Sequence, residues 1–167
     1  MHDLLTWPRP MDEFFDRVRR HWAITQAVCE NFKTAVLKAV HDFTAASTVF
    51  KLALFASSAT LNASTTNFTP GTDITGTGYT TGGTLLTSIT PALAATATGN
   101  TGVVDFNDCQ WLVSTITARG ALIYNDVSSN DQAVQVLDFS SDKTSTGGTF
   151  TIQFPAATAT AAILRLT

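Results

Sequence analysis

The spacing between apolar residues changes once along this chain, near residue 44. Ahead of that point the period is helical. Met11, Phe14 or Phe15, Val18 and Trp22 recur at intervals of three and four, which gathers them on one broad stripe of an α-helix. Pro10 suits the first helical turn, Asp12 and Glu13 follow it at the positive end of the helix dipole, and Arg19, Arg20 and His21 close the segment at the negative end. A second helix is predicted over "AVCENFKTAVLKAVHDF", residues 27–43. Its apolar stripe is Val28, Phe32, Val36, Val40 and Phe43, with Glu30, Lys33, Lys38 and Asp42 outside it. The stretch between them, "HWAITQ", is either a break or a bend, since Ile24 and Thr25 weaken helix locally.

Beyond residue 44 the period becomes two. Phe50, Leu52 and Leu54 alternate with Lys51 and Ala53 as in a strand. A turn-rich stretch follows, "NASTTNFTPGTDITGTGYTTGG", and then further strands are predicted at Leu85–Thr90, Val103–Phe106, Trp111–Asn125 with a break near Ser114, Gln132–Phe139, Thr149–Phe154 and Ala162–Leu166. "SDKTSTGGTF" reads as a polar hairpin loop between Phe139 and Phe150, and Pro155 ends the strand before it. Strands spaced by roughly eight to twelve residues with turn signals between them predict an all-β sandwich or barrel. No helical crossover of the length that a parallel sheet needs separates any of these strands. The expected architecture is therefore mainly β: an antiparallel β-sandwich, Ig-like or jelly-roll-like, over residues 45–167, preceded by an α-helical N-terminal arm over residues 1–44.

Composition sharpens this picture. A hydrophobic fraction of 44% with 14% charged residues over 167 positions is enough for a domain with a buried core, and excludes wholesale disorder. From Thr44 onward the polar positions are mostly Thr, Ser and Asn. Thr is favoured on the exposed face of a strand where Lys and Glu are not, and a Thr-rich, poorly charged exterior suits a surface that lies against other protein. The net charge of −3 gives no footprint for nucleic acid. Arg9, Arg17, Arg19 and Arg20 gather early, but Asp12, Glu13 and Asp16 interleave with them as on a solvated helix face. No apolar run reaches the length of a membrane span. "MHDLLTWPRP" lacks the apolar centre of a signal peptide, so synthesis and retention in a cytoplasm are expected.

Candidate chemistry is sparse. "GTGYTTGG" spaces its glycines as Gly76-x-Gly78-x-x-x-Gly82, with no helix following to hold a phosphate, so turns and a bulge are expected there. His2, His21 and His41 all lie in the helical segment, and no serine sits in a Gly-x-Ser-x-Gly elbow. Asp105 with Asp108, and Asp138 with Asp142, flank turns and read as turn caps rather than as a carboxylate pair across a cleft. The EF-hand pattern is absent. Cys29 and Cys109 have no metal-binding spacing and are expected as buried, reduced thiols. Asn62-Ala-Ser64 and Asn67-Phe-Thr69 match the glycosylation sequon but read as loop chemistry. No catalytic residue, cofactor or metal is assigned.

In order along the chain stand "NFKTAVLKAVHDF", "FKLALFASSATLNASTT", "TGYTTGGTLLT", "ITARGALIYN", "AVQVLDFSSDKTSTGGTFTIQFP" and "AILRL". This ordered set resembles a family of small structural proteins from tailed bacteriophages and prophages. The resemblance runs from about Cys29 to Leu166; its most specific part is Arg119-Gly120-Ala121-Leu122-Ile123-Tyr124, followed by Leu137-Asp138-Phe139 and the Asp142-Lys143 loop. It implies a non-enzymatic virion component. The physical reading leans to a capsid decoration or cement protein on the head exterior, bound to the major capsid protein as a homo-oligomer. A tail-fibre, collar or head-to-tail appendage, or a receptor- or carbohydrate-binding module, is the alternative; Tyr79 and Tyr124 side by side on an exposed surface would favour it.

Two sets of residues carry these expectations. Phe14, Phe15, Trp22, Phe32 and Val36 form a candidate interface, because a helix pair cannot bury its stripe alone. They must pack on the sandwich, on a sister subunit or on a neighbouring shell protein, each large side chain contributing roughly 1.5–3 kcal/mol when fully buried. The second set is Arg119, which breaks the pattern of "STITARGALIYN" beside Gly120. A structural ion pair with Asp138 or Asp105 on a neighbouring strand is expected for it, and a glycine there favours a bulge or the close approach of another backbone.

Overall fold

Two antiparallel strands far longer than the usual handful of residues organise the chain: β6 (Cys109–Asn125) and β7 (Gln132–Ile152). The computed structural model describes residues 23–43, 50–87, 91–96, 99–126 and 130–166. β1 (Ala27–Val28) pairs with the far side of β7, and β2 (Phe50–Phe55) pairs with β6 and with β3 (Thr84–Leu86). The resulting five-stranded sheet has the order β1-β7-β6-β2-β3. A three-stranded sheet in the order β4-β5-β8 is built from β4 (Ala92–Thr96), β5 (Gly99–Val104) and β8 (Leu164–Leu166). Every pairing between strands is antiparallel. Among the described residues the fold is mainly β, with two antiparallel sheets and one short helix, α1 (Glu30–Leu37).

That helix is shorter than the predicted one over residues 27–43. Its front end is lost to the sheet: Ala27 and Val28 face Val136 and Gln135, and Cys29 N donates to Val134 O at 3.0 Å. Its rear end is closed by a Schellman motif. Ala39 takes φ of 55°, its N–H donates to Val36 O, and Val40 N donates to Ala35 O. The expected stripe is thereby broken up. Val28 sits on a strand, Phe32 is buried, Val36 and Phe43 are half-buried against the core, and Val40 is exposed. From Ile24 onward, the segment expected as a helical arm is built into the main sheet and its core. The first helix predicted, with its candidate residues Phe14, Phe15 and Trp22, lies outside the described residues.

A second correction concerns "SDKTSTGGTF". It is not a hairpin loop but part of β7, since Lys143, Thr144, Ser145 and Gly148 face Ala118, Thr117, Ile116 and Ser114. The hairpin turn between β6 and β7 lies instead between Asn125 and Gln132. The expected break near Ser114 is a β-bulge: the register shifts between Trp111 and Ser114, and Val113 adopts φ of 49°. The extra residue turns Trp111 inward together with Ser114, Ile116 and Ala118, leaving Leu112 and Val113 exposed. Strict alternation would have sent Trp111 to the opposite face. β4 and the first half of β5 were not predicted, because Ala, Thr, Gly and Asn offer no apolar contrast.

A chain of rings ties the sheets together. Phe50 of β2 stacks on Phe43 with centroids 4.4 Å apart, and both meet Phe106, which follows β5 and touches Phe154. Phe32 enters the same cluster from α1 through Phe43 and His41. Val104 and Leu164 of the smaller sheet pack on this core too. Aromatic pairs in such offset and edge arrangements add about 0.5–1.5 kcal/mol each beyond their buried area.

The Schellman cap carries an alanine where the left-handed backbone favours glycine. Replacing it, Ala39→Gly, is expected to raise unfolding stability by roughly 0.5–1 kcal/mol, read as a shift of the urea midpoint at constant slope.

Candidate functional site

Arg119 stands where the β6–β7 ladder is most distorted. Ala118 faces Lys143 and Gly120 faces Asp138, so the four residues Phe139–Asp142 lie opposite Arg119 alone. β7 makes an excursion there, with Ser140 at φ of 64°. Asp138 Oδ1 accepts the Ser140 N–H at 2.8 Å, folding the excursion back on itself, and also accepts Arg119 Nε–H at 3.3 Å. Both side chains are about one-third exposed or less. The pair thus closes the mouth of the excursion from the opposite strand. Asp105 is elsewhere: it is buried, its Oδ1 accepts the Phe106 N–H, and burial pushes its carboxyl above the usual range.

Gly120 has a different reason to be glycine. A Cβ there would lie 2.5 Å from Leu137 O and 2.7 Å from Ile24 Cγ2. Ile24, held by its bridge to Leu61, crosses directly over this position. The neighbouring residues Arg119 and Gly120 therefore answer to separate constraints, a charge pair along the surface and a close crossing in the core.

The side chains most capable of chemistry are tied into the fold. His41 is buried between Phe32 and Phe50, and Asn125 Nδ2 donates to its Nδ1 at 3.0 Å. Its Nε2 is buried without a hydrogen-bond partner among the described residues, and burial pushes the ring's pKa down. Cys29 and Cys109 are free and buried, and burial pushes both thiols up to about 11. They are therefore protonated near neutral pH and poor nucleophiles. Asp108 Oδ1 accepts the Phe154 N–H, so this carboxylate joins the two strands at the open end of the ribbon.

Asp73, which no sequence motif marks, organises the glycine-rich loop. Its Oδ2 accepts both the Tyr79 hydroxyl and the Gly82 N–H at 2.8 Å. The Tyr79 oxygen accepts the Leu54 N–H, and the Tyr124 hydroxyl donates to Gly82 O. Gly83 then lies so close to β2 that a Cβ would overlap Leu52 O. Tyr79 is half-buried and Tyr124 is buried, stacked on Phe68 at 4.5 Å. They do not form an exposed stacking surface, and burial pushes both hydroxyls up in pKa. Trp111 is likewise buried, against Tyr79 and Phe150.

Of the candidate interface residues, Phe32 and Val36 pack on the chain's own core. The sequon asparagines are engaged as well: Asn62 Oδ1 accepts the Ser64 N–H, and Asn67 Nδ2 donates to Asn130 O. One open cleft of about 690 Å³ lies along the loop from Ala56 to Asp73, with hydroxyl and amide side chains such as Ser58, Thr60, Asn62, Thr65 and Thr72 on its walls. Among the described residues there is no cluster of three His, Cys, Asp or Glu side chains placed to hold a metal, and no helix long and apolar enough to cross a membrane. Comparisons with protein-family models, with curated proteins and with solved structures find no match to the chain.

Two outcomes follow from this geometry. Gly120→Ala is expected to cost about 1–3 kcal/mol by overpacking. Arg119→Ala is expected to cost no more than about 1 kcal/mol, as partly exposed pairs do. Denaturant titrations of both, with a double-mutant cycle through Asp138→Asn, check the order and the coupling. The second outcome concerns His41. Its folded pKa is depressed below the ordinary 6.5, so the unfolded chain binds the proton more readily. Stability is then full above pH 6.5 and is lost as the pH falls through the folded value. Melting curves between pH 7 and about 5 should show this loss, and His41→Gln should flatten it.

Proposed function

We propose that the chain is a non-enzymatic structural protein of a tailed-bacteriophage particle. On this reading the two sheets are the faces of an antiparallel β-sandwich that decorates or cements the capsid exterior. It sits on the major capsid protein as a homo-oligomer, after synthesis in the host cytoplasm. What carries the proposal is the resemblance of the ordered set of sequence motifs to phage structural proteins. Its most specific members, Arg119–Tyr124 and Leu137–Phe139, lie side by side on β6 and β7, where they form the centre of the main sheet.

Two structural features support it. The histidine, thiols and tyrosines described above are committed to the fold. The outward faces of β6 and β7 carry Thr115, Thr117, Thr144, Thr146, Thr149 and Thr151, a neutral surface that meets protein without burying charge.

Quantitative mass spectrometry of purified particles tests the proposal by counting copies of this chain against the major shell protein. Near parity is the expected result. A handful of copies per particle would move the chain to the tail, collar or a unique vertex. Absence from particles would overturn the virion role altogether.

A further inference from the structure

The open cleft of about 690 Å³ along the loop from Ala56 to Asp73 does not stand alone. A second cleft of about 480 Å³ adjoins it, and the two share Ala56 and Asp73. Each is the size of a small-molecule site. Together they have room for a short linear ligand.

Many polar groups on the walls of the larger cleft are not used by the fold. The hydroxyls of Ser58, Ser64, Thr66 and Thr69 hold no hydrogen bond among the described residues. Asn62 Oδ1 accepts the Ser64 N–H, which leaves Asn62 Nδ2 as a donor. Asn67 Nδ2 donates to Asn130 O, which leaves Asn67 Oδ1 as an acceptor. Where the two clefts meet, Asp73 Oδ2 is held by Tyr79 and Gly82, and Oδ1 is buried with no partner among the described residues. Since a hydroxyl both donates and accepts, these walls offer both kinds of partner.

The same lining discriminates between ligands. No Lys, Arg or His among the described residues lines either cleft. Asp73 adds a negative charge, so a phosphate or an acidic polymer meets repulsion and no counter-charge. The large apolar side chains on the walls are Phe55, Leu61, Leu122, Ile74 and Ile116, and all five are buried. A peptide therefore finds no apolar surface in which to anchor a side chain. The complementary ligand is uncharged and rich in hydroxyls.

We propose that the clefts bind a neutral linear oligosaccharide, whose hydroxyls exchange hydrogen bonds with Ser58, Ser64, Thr69 and the amides of Asn62 and Asn67. Tyr79 and Trp111 are turned into the fold, so binding rests on hydrogen bonds rather than on stacking and is weak. The site belongs to the isolated chain, so it stands or fails independently of the particle role.

Nuclear magnetic resonance titration of the ¹⁵N-labelled full chain with maltohexaose, and separately with chitohexaose, is the test. At least one of them is expected to shift the backbone amides of residues 56–73 saturably. Ala56→Leu narrows the junction of the clefts, and Ser58→Ala with Thr69→Ala strips hydroxyls from the wall. All three positions are exposed, so the melting temperature should not change, while binding weakens at least about fivefold. An unchanged melting temperature separates a spoiled site from a broken fold. Inorganic phosphate and a neutral glycine–serine hexapeptide should leave the same amides unmoved. The proposal is overturned if neither hexasaccharide gives saturable shifts, or if the variants bind as the wild type does. Equal shifts with the peptide or with phosphate would overturn it as well.

Discussion

The main sheet and the helix beside it are built on the ladder between β6 and β7. β1 and α1 lie against β7, β2 adds to β6, and β3 adds to β2. The loops are fastened to the same pair: Thr77 bridges Thr115, Asn67 bridges Gln132, and Phe154 N–H is held by Asp108. The ladder joins two strands that follow one another in the chain, Asn125 and Gln132 being its last pair, so it can form before distant segments arrive. Its inner half is buried on both faces from Gly120 to Asn125. Its outer half runs beyond β1 and β2 and is covered on one side by Trp111, Ile116 and Phe150 packing into the core.

The polar groups inside this frame serve mainly to hold irregular backbone in place. Asp73 and the two tyrosines fix a loop whose glycines could not otherwise lie against β2. Asn125 gives the buried His41 a partner, and Ser114 bonds to Ser145 where the bulge has disturbed the ladder. A buried polar group that is satisfied in only one arrangement specifies that arrangement. The outer faces carry mostly Thr and Ser.

How far the sequence revealed this depended on apolar contrast. β2 and the inner half of β6 alternate or run apolar and were legible. β4 was not, because Ala and Thr barely differ in their response to water. The outer part of β7 reads as a loop because Ser, Asp, Lys and Gly dominate it. It is a strand because β6 supplies its hydrogen bonds, a long-range cause that local composition does not encode. The second helix was overextended because the stripe from Val28 to Phe43 fits a helical period, while pairing to β7 and the left-handed Ala39 override it. Arg119 and Asp138 could be paired from charge and strand adjacency. The reason for Gly120, the crossing of Ile24, could not, since it depends on a contact with a segment far earlier in the chain.

The four-residue excursion opposite Arg119 has a further consequence for how this chain can vary in length. Phe139–Asp142 lies outside the regular register, and Ser140, Ser141 and Asp142 are exposed. The ladder on either side is already set, by Asp138 against Gly120 and by Lys143 against Ala118. Residues added between Ser141 and Asp142 would lengthen a detour rather than shift the strands, with a closure cost that grows only slowly with length. The excursion is thus a natural port for grafting a foreign peptide.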